Sequence, residues 1–385
     1  MKALRNFFEK TKPYVQKGAK YHWLHSTHDG FFTLFFVQKD TSKTGTHIHD
    51  YSDLKRTMSI VVLSLVPAIL FGMYNTGWQH YKAIGELAST GFFEIFLYGL
   101  LKVVPVIAVS YIVGLGIEFA FAQMRGHDVN EGFLVSGILI PLVMPIETPL
   151  WMIAVATAFA VIFGKEVFGG TGMNIWNPAL IARAFLFFAY PAHMSGDSVW
   201  VSLDGTAKLV DGFSGATPMA NAAAGNINFS IADAFFGFIP GSIGETSTLA
   251  ILLGAILLIA TGIGSWKIMV SVAGGGLFMG ILLNIFAVNP FMELPFWQHL
   301  ILGGFAFGAV FMATDPVSAT QTEKGKWIYG FLIGVIAILF RVLNPAYPEG
   351  MMLAILLMNT FAPLVDHYIV QSNIKRRLKR AKVSA

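Results

Sequence analysis

The chain has 385 residues, 55% of them hydrophobic and only 12% charged, and a soluble domain of that length carries far more charge on its surface. It contains no cysteine, which excludes thiolate-held iron–sulfur clusters, cysteine zinc sites and disulfides. The net charge of +4 is informative only through its distribution along the chain.

Residues 1–56 read as a basic, amphipathic N-terminal segment. It holds ten of the 26 Lys and Arg residues and ends in Lys55-Arg56. It is too polar and too basic for a cleavable signal, and its patch from Phe31 to Val37 suits the membrane interface or the side of a helix bundle. Ten apolar spans follow, at roughly 57–74, 93–123, 132–146, 149–164, 178–192, 246–264, 267–287, 297–313, 327–343 and 348–369. Runs of about 18 apolar residues cross a bilayer as helices. The second span is long enough to tilt or to project beyond the bilayer. The third is short and broken by Pro141, Pro145 and Pro149. A polar segment, 193–245, separates spans five and six, and a basic tail, 370–385, closes the chain. The expected fold class is an all-α polytopic membrane protein with about ten transmembrane helices.

Orientation follows from Lys and Arg in the short loops. With both termini cytoplasmic, 21 of the 26 fall inside and three outside, Lys82, Lys208 and Arg341. This places segment 193–245 outside and loops 165–177 and 314–326 inside. Spans 1–5 (57–192) and 6–10 (246–369) are odd in number, so if the halves are repeats they are inverted.

Four groups of residues are suited to chemistry. In Asp211-Gly212-Phe213-Ser214-Gly215-Ala216-Thr217-Pro218, Thr217 reads either as a helix N-cap before Pro218 or as a modified hydroxyl flanked by small residues. Asn174, Asn177 and Asp315 sit on two cytoplasm-facing loops, the first of which follows Gly169-Gly170-Thr171-Gly172. Backbone N–H groups there can face a ligand, or Asn177 and Asp315 can simply cap helices that begin at Pro178 and Pro316. The acidic residues Glu118, Glu131, Glu245, Asp315, Glu349 and Asp366 lie at or within spans. Each costs at least ~2.5 kcal/mol at mid-bilayer without a partner or a role. Glu131, Glu245 and Glu349 also read as helix-start acids, whereas Glu118 in Gly114-Leu115-Gly116-Ile117-Glu118 has no such explanation. Phe185, Phe187 and Phe188 with Arg183 read as packing or as an aromatic wall. His22, His25 and His28 lack a matching second cluster, so no metal site is expected.

The Ser214-Gly215-Ala216-Thr217 element, with Asp211 six residues upstream, is similar to the flavinylation motif of the NqrB/RnfD family of membrane-embedded redox subunits. The resemblance covers nearly the whole chain, through Asp53-Leu54-Lys55-Arg56, Val129-Asn130-Glu131-Gly132-Phe133, Gly164-Lys165-Glu166-Val167-Phe168-Gly169-Gly170-Thr171-Gly172, Asn177-Pro178-Ala179-Leu180, Gly241-Ser242-Ile243-Gly244-Glu245, Ala313-Thr314-Asp315-Pro316-Val317-Ser318 and Asn344-Pro345-Ala346-Tyr347-Pro348-Glu349-Gly350.

The resemblance implies FMN joined through its phosphate to Thr217, with Ser214, Gly215 and Ala216 around it, by a flavin transferase acting outside the membrane. It implies a second, non-covalent flavin, riboflavin, for which Asn174, Asn177 and Asp315 are the candidates. It implies quinone binding near Gly114 and Glu118, with Phe185 and Phe187 as candidate walls, and sodium uptake through acidic residues, here Glu131, Glu349 and Asp366. Partners would be a flavin-bearing periplasmic subunit, a subunit with FAD and a 2Fe–2S cluster, and small membrane subunits; no nucleic acid is expected. The basic segments at both ends favour the sodium-pumping NADH:quinone branch. The rivals are the ferredoxin:NAD branch and, in another class, a cofactor-free channel or transporter.

Overall fold

A computed structural model describes residues 2–15, 19–36, 44–45, 54–126, 132–203, 210, 213–226, 229–344 and 350–383. Among them the fold is all-helical. An N-terminal pair, α1 (Lys2–Val15) and α2 (His25–Phe35), precedes α3 (Leu54–Ile84), α4 (Phe92–Arg125), α5 (Phe133–Leu142), α6 (Leu150–Gly164) and α7 (Pro178–Ala189). The polar segment 193–245 carries the short α8 (Pro218–Ala223) and α9 (Ile231–Phe236). Then come α10 (Thr248–Ala260), α11 (Trp266–Ile285), α12 (Gln298–Ile301), α13 (Phe305–Phe307), α14 (Glu323–Leu343) and α15 (Met351–Val383).

Among the described residues, six helices are long and apolar enough to cross a membrane: α3, α4, α6 with the turn that follows it, α11, α14 and α15. The other four expected spans are shorter or broken. Three of them are α5, α7 and α10, each of 10–17 residues. The fourth, 297–313, is split into α12, α13 and a π-helical turn over Gly308–Met312, with Gly303 at φ +62° between α12 and α13. Local chemistry sets the ends. Pro141 closes α5, Pro149 precedes α6, and Asn177, Ser247 and Thr322 cap α7, α10 and α14 by accepting from backbone N–H groups. Helix α3 runs ten residues past the expected span end. Asn75, Thr76, Gln79 and His80 there are buried and partnered: Asn75 Nδ2 donates to the Ile239 carbonyl (3.0 Å), and His80 Nδ1 to that of Ser202 (2.7 Å).

Packing runs α3 on α4 and α10, α4 on α5 and α6, and α6 on α7. In the second half α11 packs on α14 and α14 on α15, while α7 meets α15 across the halves. The α11–α14 contact is backbone to backbone, because a β-carbon at Gly275 would overlap the Phe331 carbonyl and one at Gly334 that of Val272. Small residues at such crossings let helices approach where lipid offers no hydrophobic drive to associate.

Candidate functional site

Two recesses hold the chemically distinctive residues. The first encloses about 800 Å³ of empty space including its open mouth. It lies among the start of α3, α5, the loop before α7, the end of α10 and the turn after the π-helical segment. Asn174, Asn177 and Asp315 all line it, with Lys165, Thr171 and Ser136. Asn177 Oδ1 accepts from Ala179 N (2.9 Å), the N-cap read from the sequence, while Asn174 Nδ2 donates to the Trp176 carbonyl (3.0 Å). No helix starts at Pro316. Instead Asp315 folds its own turn, accepting from Val317 N (3.2 Å) and from Ser318 Oγ (2.7 Å). Enclosure by protein pushes its carboxyl above the ordinary aspartate range, against the lowering pull of the Ser318 hydroxyl and the Val317 and Ser318 backbone N–H groups.

Behind this recess Lys165 Nζ donates to Glu118 Oε1, both side chains 4% exposed. The Lys165 ammonium also lies 5.9 Å from the Phe133 ring centroid. A β-carbon at Gly114, one turn before Glu118, would overlap that same ring. Beside them Arg125 Nη1 donates to Glu166 Oε2 (3.1 Å). The structure thus groups Gly114 and Glu118 against α5 and sets Phe185 elsewhere. Phe185 stacks on Phe159 (4.5 Å) and lines an apolar groove between α7 and α15 with Phe188 and Trp176. Phe187 packs edge-on to Phe188 (5.4 Å).

The second recess lies beside Thr217, about 330 Å³ of empty space lined by Thr217, Met219, Ser242, Glu245, Thr246 and Gly303. Thr217 caps α8, its Oγ1 accepting from Ala220 N (3.2 Å), with Pro218 in the first helical position. Ser214 Oγ accepts from Ala216 N (3.2 Å). Gly215 is buried against Asp197, whose carbonyl a β-carbon there would overlap. Glu245 precedes the N-cap Ser247 by two residues and is not merely a helix-start acid. Its Oε2 accepts from Arg183 Nη1 (3.1 Å), and the same nitrogen reaches Ser242 Oγ (3.1 Å) and the Val143 carbonyl. The Thr246 hydroxyl, on a residue 5% exposed, has no hydrogen-bond partner among the described residues. Nearby, Arg341 is 1% exposed and donates to the His299 (2.6 Å) and Leu302 (3.0 Å) carbonyls, with its guanidinium 5.8 Å from the Phe305 ring centroid.

Asp366 is occupied by backbone: it accepts from Gln321 N (2.8 Å) and Thr322 N (3.0 Å), and from the Thr322 hydroxyl. Glu131, Glu349 and Asp211 lie outside the described residues. Sequence reasoning passed over Lys165, Ser242, Thr246 and Arg341. A lysine at a span end reads as an interfacial charge, and serine or threonine near a helix start reads as a cap. Only the tertiary fold turns Lys165, Ser242 and Thr246 toward a recess and buries Arg341 on the His299 and Leu302 carbonyls.

The family model of the NQR2, RnfD, RnfE family matches residues 41–375. The B subunit of the Na(+)-translocating NADH-quinone reductase of Ectopseudomonas mendocina is 47% identical, covering 98% of this chain and 99% of its own. The proteins of the same description from Chromohalobacter salexigens and Pseudoalteromonas atlantica are each 46% identical over 98% of this chain, covering 96% and 99% of their own.

Proposed function

The chain belongs to the NQR2, RnfD, RnfE family, and on that premise we propose that it is the flavin-carrying membrane subunit of a sodium-pumping NADH:quinone oxidoreductase. Identity near 46% along nearly the full length to relatives named as the B subunit of that reductase supports this branch over the ferredoxin:NAD one. In this reading it sits in a bacterial inner membrane with both termini cytoplasmic, in contact with the periplasmic flavin subunit, the FAD/2Fe–2S subunit and the small membrane subunits.

The ten apolar segments read as ten crossings, some of them discontinuous, built as two inverted five-helix repeats (57–192 and 246–369) joined by a periplasmic segment, 193–245. Three observations support the repeat. The second and fourth helices pack together in each half, α4 on α6 and α11 on α14. The third member is short or broken in each, α5 and α12–α13. Gly114, Phe133 and Lys165 recur as Gly276, Phe305 and Arg341: glycine of the second helix against a ring of the third, with a cation from the end of the fourth beside it. Broken helices at a repeat interface are how membrane proteins build midplane binding sites.

The residues present fit both flavins. An isoalloxazine edge carries carbonyl acceptors and an N–H donor. The first recess offers the Asn174 and Asn177 amides and the Asp315 carboxyl to riboflavin. The second offers the Thr246 hydroxyl, without a partner among the described residues, beside Ser242 and Glu245 and within reach of a ring tethered at Thr217. Bound there, flavins supply one- and two-electron transfer that a chain without cysteine cannot draw from thiolate clusters. The protein's own part is to hold and orient these rings, to keep water from the buried Glu118–Lys165 and Arg183–Glu245 pairs, and to offer oxygen ligands to Na+. Glu131, Glu349 and Asp366 remain the proposed sodium ligands, and Gly114, Glu118, Phe185 and Phe187 the proposed quinone residues. Moving Na+ outward against 100 mV costs ~2.3 kcal/mol per ion, which quinone reduction must supply.

The shared recess of Asn174, Asn177 and Asp315 carries this reading furthest. It is tested by releasing non-covalent flavin from the purified complex: one riboflavin per chain is expected, lost in Asp315→Ala with the covalent flavin retained. Release of no riboflavin from the parent complex, whatever flavin the other subunits give up, would refute it. A complex that reduces NAD with ferredoxin as donor, and leaves quinone untouched, would place the chain in the other branch.

A further inference from the structure

We infer that Thr217 receives its flavin before residues 213–223 dock on the bundle, and that the finished fold is a poor substrate for the modifying enzyme. This rests on the reading of Thr217 as the flavin acceptor. The reaction requires the Thr217 oxygen to approach the flavin-side phosphorus of a flavin dinucleotide in line with the departing group. An O–P bond forms, the pyrophosphate P–O bond breaks and AMP leaves. The hydroxyl proton passes to a base of the transferase, and no electrons change hands.

An enzyme carrying that dinucleotide must take up the peptide on both sides of the acceptor. In the folded chain those sides are closed. Gly215 is buried against the Asp197 carbonyl and Val201, and Ala216 is 9% exposed. On the other side Pro218 is buried, and Met219, 2% exposed, is wedged against Gly303 so closely that a β-carbon there would overlap its sulfur. Thr217 itself is only partly exposed and is fixed as the cap of α8, with its Oγ1 turned to Ala220 N. Presenting it to a transferase requires unwinding α8 and pulling Met219 out of the core. Local opening of that kind is rare in proportion to the contacts it breaks. The same closure serves the finished protein, because docking after modification holds the flavin beside the recess of Ser242, Glu245 and Thr246.

The test uses the full chain made without the transferase and purified folded in detergent. Incubation with transferase and flavin adenine dinucleotide, followed on a denaturing gel by flavin fluorescence, should label it at least about tenfold more slowly than a peptide spanning residues 209–224. Gly215→Ala, which forces the segment off Asp197, should narrow that gap. Partial unfolding of the parent chain in mild denaturant should narrow it likewise, should the variant not fold. Labelling of the folded chain at the peptide's rate would overturn the inference. Failure of both peptide and chain to label would instead overturn the assignment of Thr217 as acceptor.

Discussion

Lys165, at the end of α6, reaches back to Glu118 in α4 and forms an ion pair that is almost wholly enclosed, with the Phe133 ring beside it. Two charges removed from water stabilise the fold only through each other, and deleting one leaves the other unmatched, at a cost of about 3–5 kcal/mol. Lys165→Ala should therefore lower the thermal unfolding midpoint sharply, and Glu118→Ala likewise. Lys165→Met with Glu118→Leu should recover most of the loss. A double variant as unstable as the sum of the two singles would show that the pair is not coupled.

Asn177 has two separable roles, capping α7 and facing the first recess. Asn177→Ala should lose about 1 kcal/mol of stability through the cap. Asn177→Ser should restore the cap yet still bind riboflavin more weakly, because the amide donor is gone. Thermal unfolding and flavin content per chain, measured on the same two preparations, separate the effects. Equal flavin content in parent and Asn177→Ser would remove Asn177 from the binding set.

Asp366 joins α15 to the turn before α14 through two backbone N–H groups and a hydroxyl. Asp366→Ala strands those donors, at about 1–3 kcal/mol, while Asp366→Asn keeps one acceptor oxygen. If Asp366 also ligates Na+, Asp366→Asn should raise the Na+ concentration needed for half-maximal quinone reduction, with a smaller loss of stability than Asp366→Ala. An unchanged Na+ dependence would leave it a structural anchor alone.

Adjacent glycines of α11 should behave oppositely. Gly275→Ala drives a β-carbon into the Phe331 carbonyl and should reduce folded yield. Gly274→Ala meets nothing within 4 Å and should be neutral or stabilising by up to about 1 kcal/mol, through helix propensity. Size-exclusion profiles of the two variants check this, and equal yields would contradict the tight α11–α14 crossing.

These examples mark what the sequence carries. Long apolar runs announced the six long helices, and Pro141 announced the short α5. Segment 297–313 looked like one more continuous span, because hydropathy does not register the turn at Gly303 or the π-helical segment after it. The true length of α3 was hidden because Asn75 and His80 look like loop residues until their partners, Ile239 and Ser202, are known. Asn174, Asn177 and Asp315 stood out as uncharged amides and one acid on short loops, and the fold brings all three to one recess. Glu245 looked like a helix-start acid, and only the fold supplies Arg183. Pairings between distant positions leave no local pattern to read.

Everything proposed for electron transfer through this chain depends on Thr217 carrying FMN as a phosphoester. Intact mass of the chain, made together with the flavin transferase, decides the matter. The expected mass is that of the chain increased by one FMN less one water, with the addition located by digestion to the peptide containing Thr217 and absent from Thr217→Ala. An unmodified mass, or a flavin found on another residue, would exclude the assignment.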